Sequence, residues 1–547
     1  MGLELRLCGG HQRRKGGAMI KISNISLPPA AGETELLQQT AKLLRVSPSE
    51  ITRLFPLKKS IDARKKPEVR VIWTVEVSLK SGEERILKKK LKNVERHFPF
   101  TYPIPKVTAH HRPVIVGFGP AGMFAGLVLA KAGCRPIILE RGQDAQTRHR
   151  KVEEFWQGGK LDPECNVQFG EGGAGTFSDG KLNTNTHNPR IRWVLEQFVS
   201  HGAHENILYD AKPHVGTDVL LKVVQNIRKE IIALGGDVRF GAKVTGLEIQ
   251  DQAVVGVRLG AEVLPCRQVI LAIGHSARDT FAMLHETGIP MEPKPFAMGV
   301  RIEHPQTVID LSQFGAEDPH LPPADYKLVE HLADGRTVYS FCMCPGGYVV
   351  AAASEDGGLV TNGMSYHDRS GRNANAALLV NLNPRDFPYE GVLGGVQWQR
   401  EIEQAGYQYS GSYRAPAQKV GDFLNGVKTS EFGCVCPTYR PGVVGCDLRQ
   451  VLPPVITDAL KQAIPAMGRK IKGYDHPDAV LTAPETRSSS PVRILRDAGK
   501  QSSIRGLYPC GEGAGYAGGI TSAAVDGMVC AEEIIAALQK QAKLPPP

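Results

Sequence analysis

The chain has 547 residues, 41% hydrophobic and 22% charged, a globular balance that excludes a disordered, fibrous or disulfide-stapled protein. The net charge of +10 is confined to the first fifth, where residues 1–110 hold 22 Lys+Arg against 10 Asp+Glu; the basic balance therefore does not make the whole chain a nucleic-acid binder. Eleven irregularly spaced cysteines fit a reduced, cytoplasmic setting.

Residues 1–18 have glycine pairs, a basic cluster and no periodicity, and are expected to be an unstructured extension. Residues 19–105 read as a small basic α/β domain. A strand is predicted over 20–27, an amphipathic helix over 34–45, a capped turn at Ser47-Pro48-Ser49-Glu50, and strands near 57–63 and 69–80. The Pro-rich run 98–105 reads as a linker. Its Lys and Arg residues leave RNA binding open as an alternative to a solvated basic face.

From residue 106 strands and helices alternate. Residues 113–130 carry no charge, but their four glycines and two prolines argue for a buried strand–turn–helix, and no membrane association is expected. Val114-Ile115-Val116 is a short apolar strand that runs into Gly117-Phe118-Gly119-Pro120-Ala121-Gly122, and a helix follows to Ala132. Gly117 permits the turn, Gly119 lets backbone approach a pyrophosphate, and Gly122 lets helix and strand pack. The helix N-terminus offers N–H groups to phosphate. A second strand, Pro136–Leu139, ends at Glu140, the acid expected on ribose hydroxyls, with Arg141 beside it. Strand, glycine turn, helix and acid together predict a dinucleotide site.

Further along, Gly170, Gly172, Gly173 and Gly175 lie within six residues, followed by Thr176. Gly511-Glu512-Gly513-Ala514-Gly515-Tyr516-Ala517-Gly518-Gly519 holds five glycines in nine, ahead of a helix from Ile520. Such density suggests close backbone approach to a ligand.

The meander around Val244, the closing strand ending at Gly274, and Leu507–Gly513 resemble the corresponding parts of glutathione-reductase-type flavoproteins. The strings Asn166–Leu182, Lys212–Asp218, Gly274–Asp279 and Glu485–Arg493 sharpen this. From about Met19 to about Leu538 the chain resembles the uncharacterised FAD-dependent dehydrogenases of bacterial type. That resemblance implies a glutathione-reductase-type FAD-binding, Rossmann-like fold, with an inserted mixed α+β substrate domain and a small N-terminal α/β domain. It also implies that Glu512, standing where the class usually has Asp, contacts the ribityl chain. The domains expected are 19–105, 106–290 (FAD-binding, first part), 291–478 (inserted) and 479–540 (FAD-binding, second part), with a tail over 541–547.

Candidates for chemistry are weaker. Lys181 and Ser178 are plausible flavin-facing donors, and Tyr516 a ring neighbour. Arg487 is either an anion-binding group or an inter-domain ion pair. His214 and His275 are candidate acid–base groups because imidazole titrates near neutrality. The pairs Cys342/Cys344 and Cys434/Cys436 read as loop cysteines. One-residue spacing is awkward for chelation, so no metal site is expected, and no redox pair adjoins the flavin motifs.

The function expected is that of a FAD-dependent oxidoreductase with non-covalent cofactor, moving a hydride between flavin N5 and a small organic substrate under the inserted domain. NAD(P)H is a possible transient co-substrate, although no second fingerprint appears. An RNA-associated flavoprotein and a low-turnover flavin sensor are the alternatives. The sequence leaves substrate and oligomeric state open.

Overall fold

The computed structural model describes residues 19–184 and 186–542. The predicted extension over 1–18 and residues 543–547 of the tail lie outside the described residues. The fold is mixed α/β, built from three sheets of four, five and eight strands with smaller ladders between them.

The N-terminal sheet is antiparallel, ordered Ile51–Asp62, Arg70–Leu79, Met19–Leu27, Val94–His97. The helix Glu33–Leu44 covers one face through Leu36, Ala41 and Leu44, all buried against Ile20, Ile22 and Val75. The predicted strand near 57 starts earlier, at Ile51. Pro56 sits next to a register shift, the kind of bulge at which a strand tolerates proline. This sheet docks on the rest of the chain by backbone: Lys59 N–H donates to the Tyr209 carbonyl at 2.6 Å and Ala211 N–H to the Lys59 carbonyl at 2.8 Å. The Pro-rich run is a strap rather than a free linker. Phe100, Tyr102 and Ile104 pack on the central core, and the Tyr102 hydroxyl donates to Glu532 at 2.6 Å.

The central sheet is parallel, ordered Leu507–Pro509, Val269–Leu271, Val114–Val116, Ile137–Leu139, Asp237–Arg239. Its three inner strands are fully buried, continuous apolar runs because both faces are covered, whereas the edge strand Asp237–Arg239 is partly exposed. The fingerprint helix Pro120–Ala132 and the long C-terminal helix Ile520–Gln541 lie together on one face. They touch so closely that a Cβ on Gly527 would stand 2.0 Å from the Ala121 carbonyl oxygen.

The chain leaves this unit through Met291–Pro293 and returns through Val492–Ile494, which pair antiparallel as a neck. Between them lies the eight-stranded sheet, whose long strands are Phe296–Pro305, Thr337–Ala351 and Asn373–Leu382. Helix Pro454–Gly468 buries Ile456, Leu460 and Ile464 in its core. The predicted end of the insertion at 478 falls short of the sheet. Val480–Glu485 is one of its strands, paired with both Phe296–Pro305 and Ala415–Lys419. Its apolar residues resemble a returning central strand, and only its partners reveal the difference. Among the described residues no helix is long and apolar enough to cross a membrane.

A buried ionic cluster bolts the two large units together. Glu403, fully buried on helix Gly394–Ser410, accepts from Arg278 at 2.7 and 2.8 Å and from Arg487 at 2.8 and 3.0 Å. Burial opposes its charge, but the two guanidinium groups hold its carboxyl well below the usual range. Removing one member of such a set strands the others without compensation. Glu403→Gln is therefore expected to lower stability by about 3–5 kcal/mol, seen as a reduced denaturation midpoint. Stability from this carboxylate is present above the ordinary Glu pKa and lost on acidification, so the deficit should shrink as pH falls below about 4.5.

Candidate functional site

At the carboxyl ends of the parallel strands, between the central and the eight-stranded sheets, lies a cavity of about 730 Å³. This is where open α/β sheets bind ligands. Three glycine-rich turns form one wall.

The first is the fingerprint. Gly117 has φ +99°, and a Cβ there would lie 2.4 Å from the Ala272 carbonyl oxygen. A Cβ on Gly122 would lie 2.0 Å from the Gly117 oxygen. Strand, turn and helix are thus in backbone contact, and Gly122 sits behind the wall, whereas Gly119, Pro120 and Ala121 line it. The second turn is 170–175. Gly173, at φ +64°, faces Gly119 so directly that its Cβ would be 2.9 Å from the Gly119 Cα. Gly173 and Gly175 line the cavity. Gly172 donates to the Phe118 carbonyl at 2.9 Å from the layer behind. Thr176 is also behind, buried, its hydroxyl turned to the Glu171 carbonyl at 3.4 Å. The third turn, 511–519, places Glu512, Gly518, Gly519 and Ile520 on the wall, while Gly511 packs under it against Ala121. Nothing lies within 4 Å of a Cβ built on Gly274, Gly518 or Gly519.

Two helices begin on this wall, at Pro120 and Ile520, and neither has a side-chain cap. Their first amide groups and partial positive charge thus stand at the cavity edge.

Glu140 does more than sequence reasoning assigned to it. One carboxylate oxygen accepts from Phe118 N–H at 2.8 Å, and the other from Gly142 and Gly170 N–H, each at 2.9 Å. It ties the fingerprint to the second glycine turn while lining the cavity. A carboxylate has about four acceptor sites, so capacity for a hydroxyl donor remains. Arg141 lines the cavity, but its guanidinium is committed to Glu164 at 2.7 Å and Asp279 at 2.8 and 2.9 Å.

The group that pins the 170–175 turn was not anticipated. Arg148 is completely buried and donates to the carbonyls of Asn166, Val167, Gly170, Glu171 and Gly173 at 2.7–3.3 Å. Burial pulls its pKa down to about 10, which still leaves it charged at neutral pH. An arginine in a charged helix gives no local sign of this role.

The weak candidates separate. Lys181 lines the cavity, and among the described residues its ammonium has no hydrogen bond or ion pair. Ser178 lines it too, but its hydroxyl donates to the Gly175 carbonyl at 2.7 Å. Tyr516 lines it with its ring stacked under the Arg496 guanidinium at 3.8 Å. His214 is not on the wall. It lies behind Lys181, bridged to it through backbone, and burial with the nearby Arg369 pushes its pKa down to about 4. An acid–base role at the cavity is thereby corrected to a neutral packing role. His275 is on the wall, and burial with the Arg487 and Arg278 charges depresses it likewise to about 4. Arg487 is committed to Glu403 within the inserted unit, the charge reaching Glu403 from the central unit being that of Arg278, so it is an ion-pair member and not a free anion-binding group.

Glu512 has no hydrogen-bond partner among the described residues, and burial raises its pKa to about 7. Cys342 is a second correction. It is not in a loop but on the strand Thr337–Ala351, as is the fully buried Cys344, and it lines the cavity opposite the glycine turns. By contrast Cys434 and Cys436 are exposed outside any strand or helix.

Residues 295–488 match the family described as FAD-dependent protein, C-terminal domain-like, and residues 19–78 match a domain of unknown function, DUF8436. An uncharacterised protein of Clostridium beijerinckii is 46% identical over 528 residues, covering 94% of this chain and 98% of that protein. Among solved structures, glycine oxidase from Bacillus cereus is 12% identical, covering 78% of this chain and 97% of its own, with a TM-score of 0.33. Glycerol-3-phosphate dehydrogenase from Bacillus halodurans complexed with FAD is 11% identical, covering 80% and 66%, with a TM-score of 0.36.

Replacing Arg148 by Met strands five carbonyls in a dry interior. At roughly 1–3 kcal/mol for an unsatisfied buried group, the variant is expected to lose several kcal/mol of stability. Limited proteolysis should cut it between 166 and 176, where the parent chain resists.

Proposed function

The chain belongs to the same family as the Clostridium beijerinckii protein and carries the C-terminal domain of FAD-dependent proteins; from that premise we propose that it is a FAD-dependent oxidoreductase with a glutathione-reductase-type cofactor site. One observation carries the reading. Three glycine turns and two uncapped helix N-termini converge on one cavity wall, with open space where side chains would otherwise stand.

The residues fit the cofactor part by part. The Gly119 and Ala121 N–H groups and the helix that opens at Pro120 would offer positive potential to a pyrophosphate. Glu140 retains acceptor capacity for ribose hydroxyls, and Val244 lines the adenosine end of the wall. Glu512 offers an unpaired carboxyl to the ribityl hydroxyls. The helix from Ile520 opens on the cavity, and its positive end would favour negative charge on a group bound there. These contacts are of backbone and carboxylate type, which predicts non-covalent attachment.

When bound, FAD supplies two-electron hydride chemistry at N5. The chain's own part is to position the substrate and exclude water. The eight-stranded sheet closes the cavity with Phe341, Cys342, Met343 and Asn362, so a substrate would meet these side chains opposite the glycine turns. Lys181 lines the cavity, as Lys327 does, and among the described residues its ammonium has no hydrogen bond or ion pair. It would orient an anionic or carbonyl-bearing substrate, or NAD(P)H acting as transient donor.

The test is an anaerobic absorbance titration of the purified protein with NADH and then NADPH. Visible flavin absorbance that leaves with denaturation is expected. Bleaching by one nucleotide identifies the donor, and a colourless protein that takes up no FAD overturns the reading. Glu140→Ala removes a charge-assisted bond worth about 1.5–3 kcal/mol, and FAD affinity should fall roughly tenfold or more. For Glu512 the folded pKa lies above the ordinary 4.5, so the folded apoprotein binds more protons and its stability falls as pH rises from about 4.5 to about 7. Glu512→Gln should flatten that segment of the apoprotein's melting profile.

A further inference from the structure

Cys342 and Cys344 would point to the same side of a regular strand, but the strand is not regular here. The pairing of Thr337–Ala351 with Asn373–Leu382 shifts register between Phe341 and Cys344. At the shift Cys342 takes φ +41°, a left-handed conformation that few non-glycine residues adopt. The fully buried Arg301 holds it there, donating to the Cys342 carbonyl at 2.9 Å while its other edge binds Glu485 at 2.6 and 3.1 Å. The result is that the Cys342 thiol faces the cavity and the Cys344 thiol lies behind it. The Cys344 thiol donates to the Cys342 carbonyl oxygen at 3.3 Å, which folds the two cysteines onto one irregular turn of the strand.

We propose that Cys342 and Cys344 form a redox-active dithiol of this cavity, and that its substrates are small disulfides. The inference rests on the oxidoreductase reading only in giving the cavity to redox chemistry. The charges around Cys342 suit a nucleophile. Lys181 and Arg301 face it as cations and Asp179 and Glu512 as acids, with Asp179 itself paired to Arg369 at 2.6 Å. Contact with Cys344, then the Lys181 and Arg301 charges, holds the Cys342 thiol below its usual value, whereas the same contact and burial raise the Cys344 thiol. Cys342 is thus the more acidic sulfur and Cys344 the one that keeps its proton, which is the division of labour that exchange needs.

The step balances on these atoms. The Cys342 thiolate attacks one sulfur of the substrate, the substrate S–S bond breaks, and a thiolate leaves with the Cys344 proton. The Cys344 thiolate then attacks the Cys342 sulfur in the mixed disulfide, closing a Cys342–Cys344 bond and expelling the second thiolate, which takes a proton from water. Two electrons pass from the protein sulfurs to the substrate sulfurs, and excess small thiol drives the same steps backward.

The experiment uses the full-length protein as purified, with FAD content read by absorbance in parallel. After full reduction and removal of reductant, the protein is incubated with oxidised glutathione and then alkylated, and the peptides are weighed. The peptide holding both residues is expected to lose two hydrogens and resist alkylation, while Cys434 and Cys436 form no such bond. In Cys344→Ser the reaction should stop as a glutathione adduct on Cys342. Alkylation of reduced protein across pH should show Cys342 reacting at lower pH than Cys434 and Cys436, with its midpoint moving upward in Lys181→Met. If Cys342 stays alkylatable after oxidised glutathione while FAD is bound, the dithiol inference fails and the flavin reading stands. If the bond forms in protein that takes up no FAD, the flavin reading fails and the dithiol stands.

Discussion

The cavity exists because backbone touches backbone. Gly117 against Ala272, Gly122 against Gly117 and Gly173 against Gly119 leave no room for a single carbon atom between the turns. Such contacts bring many peptide dipoles to one surface, but they supply almost no apolar burial. Something else must hold them, and the chain uses charge. Glu140 gathers one N–H from each of two glycine turns and a third from Gly142 beside it, and Arg148 gathers five carbonyls, three from the second turn and two from Asn166 and Val167 ahead of it. A carboxylate with only acceptors and a guanidinium with only donors are matched to the two kinds of orphan that a tight loop exposes. Around this polar frame the strands and helices pack with ordinary apolar residues.

The frame also explains how two sheets of different build share one site. The parallel sheet ends in turns, so it offers backbone. The eight-stranded sheet presents strand residues, so it offers side chains such as Phe341, Cys342 and Asn362. Each supplies what the other lacks. The glycine wall is chemically uniform backbone, and the facing wall is side chain and can discriminate.

What the sequence made legible divides along the same line. The fingerprint, the acid after the second strand and the two glycine clusters are local patterns, because a turn that needs positive φ or bare backbone needs glycine wherever the rest of the chain runs. The helix expected after Gly122 and the one from Ile520 stand in place. Arg148, Glu403 and Cys342 were not legible. Arg148 sits in a charged helix whose buried face appears only when residues 166–173 fold over it. Glu403 gains its role from Arg278 and Arg487, each more than eighty residues away. Cys342 was noticed for its spacing but misplaced, because nothing near it tells that the middle of the insertion crosses back over the cofactor turns. The end of the insertion was misjudged for a related reason. A strand is recognisable from its residues, but the sheet it joins is decided by long-range pairing.

The bolt formed by Arg278, Glu403 and Arg487 has a consequence for traffic. Many two-domain enzymes admit their ligands by swinging one half away from the other. Here such a swing would drag three dry charges apart, and the antiparallel neck of Met291–Pro293 with Val492–Ile494 would have to shear with it. The chamber is therefore a fixed vessel whose selectivity resides at its rim. Where its lining reaches solvent it carries Asn183, Lys212 and Lys327, together with Thr184 and Asp325, polar and ionic groups rather than a hinge. Molecules would be sorted by what passes that border, and their rate of exchange would follow the girth of the visitor instead of the motion of the host.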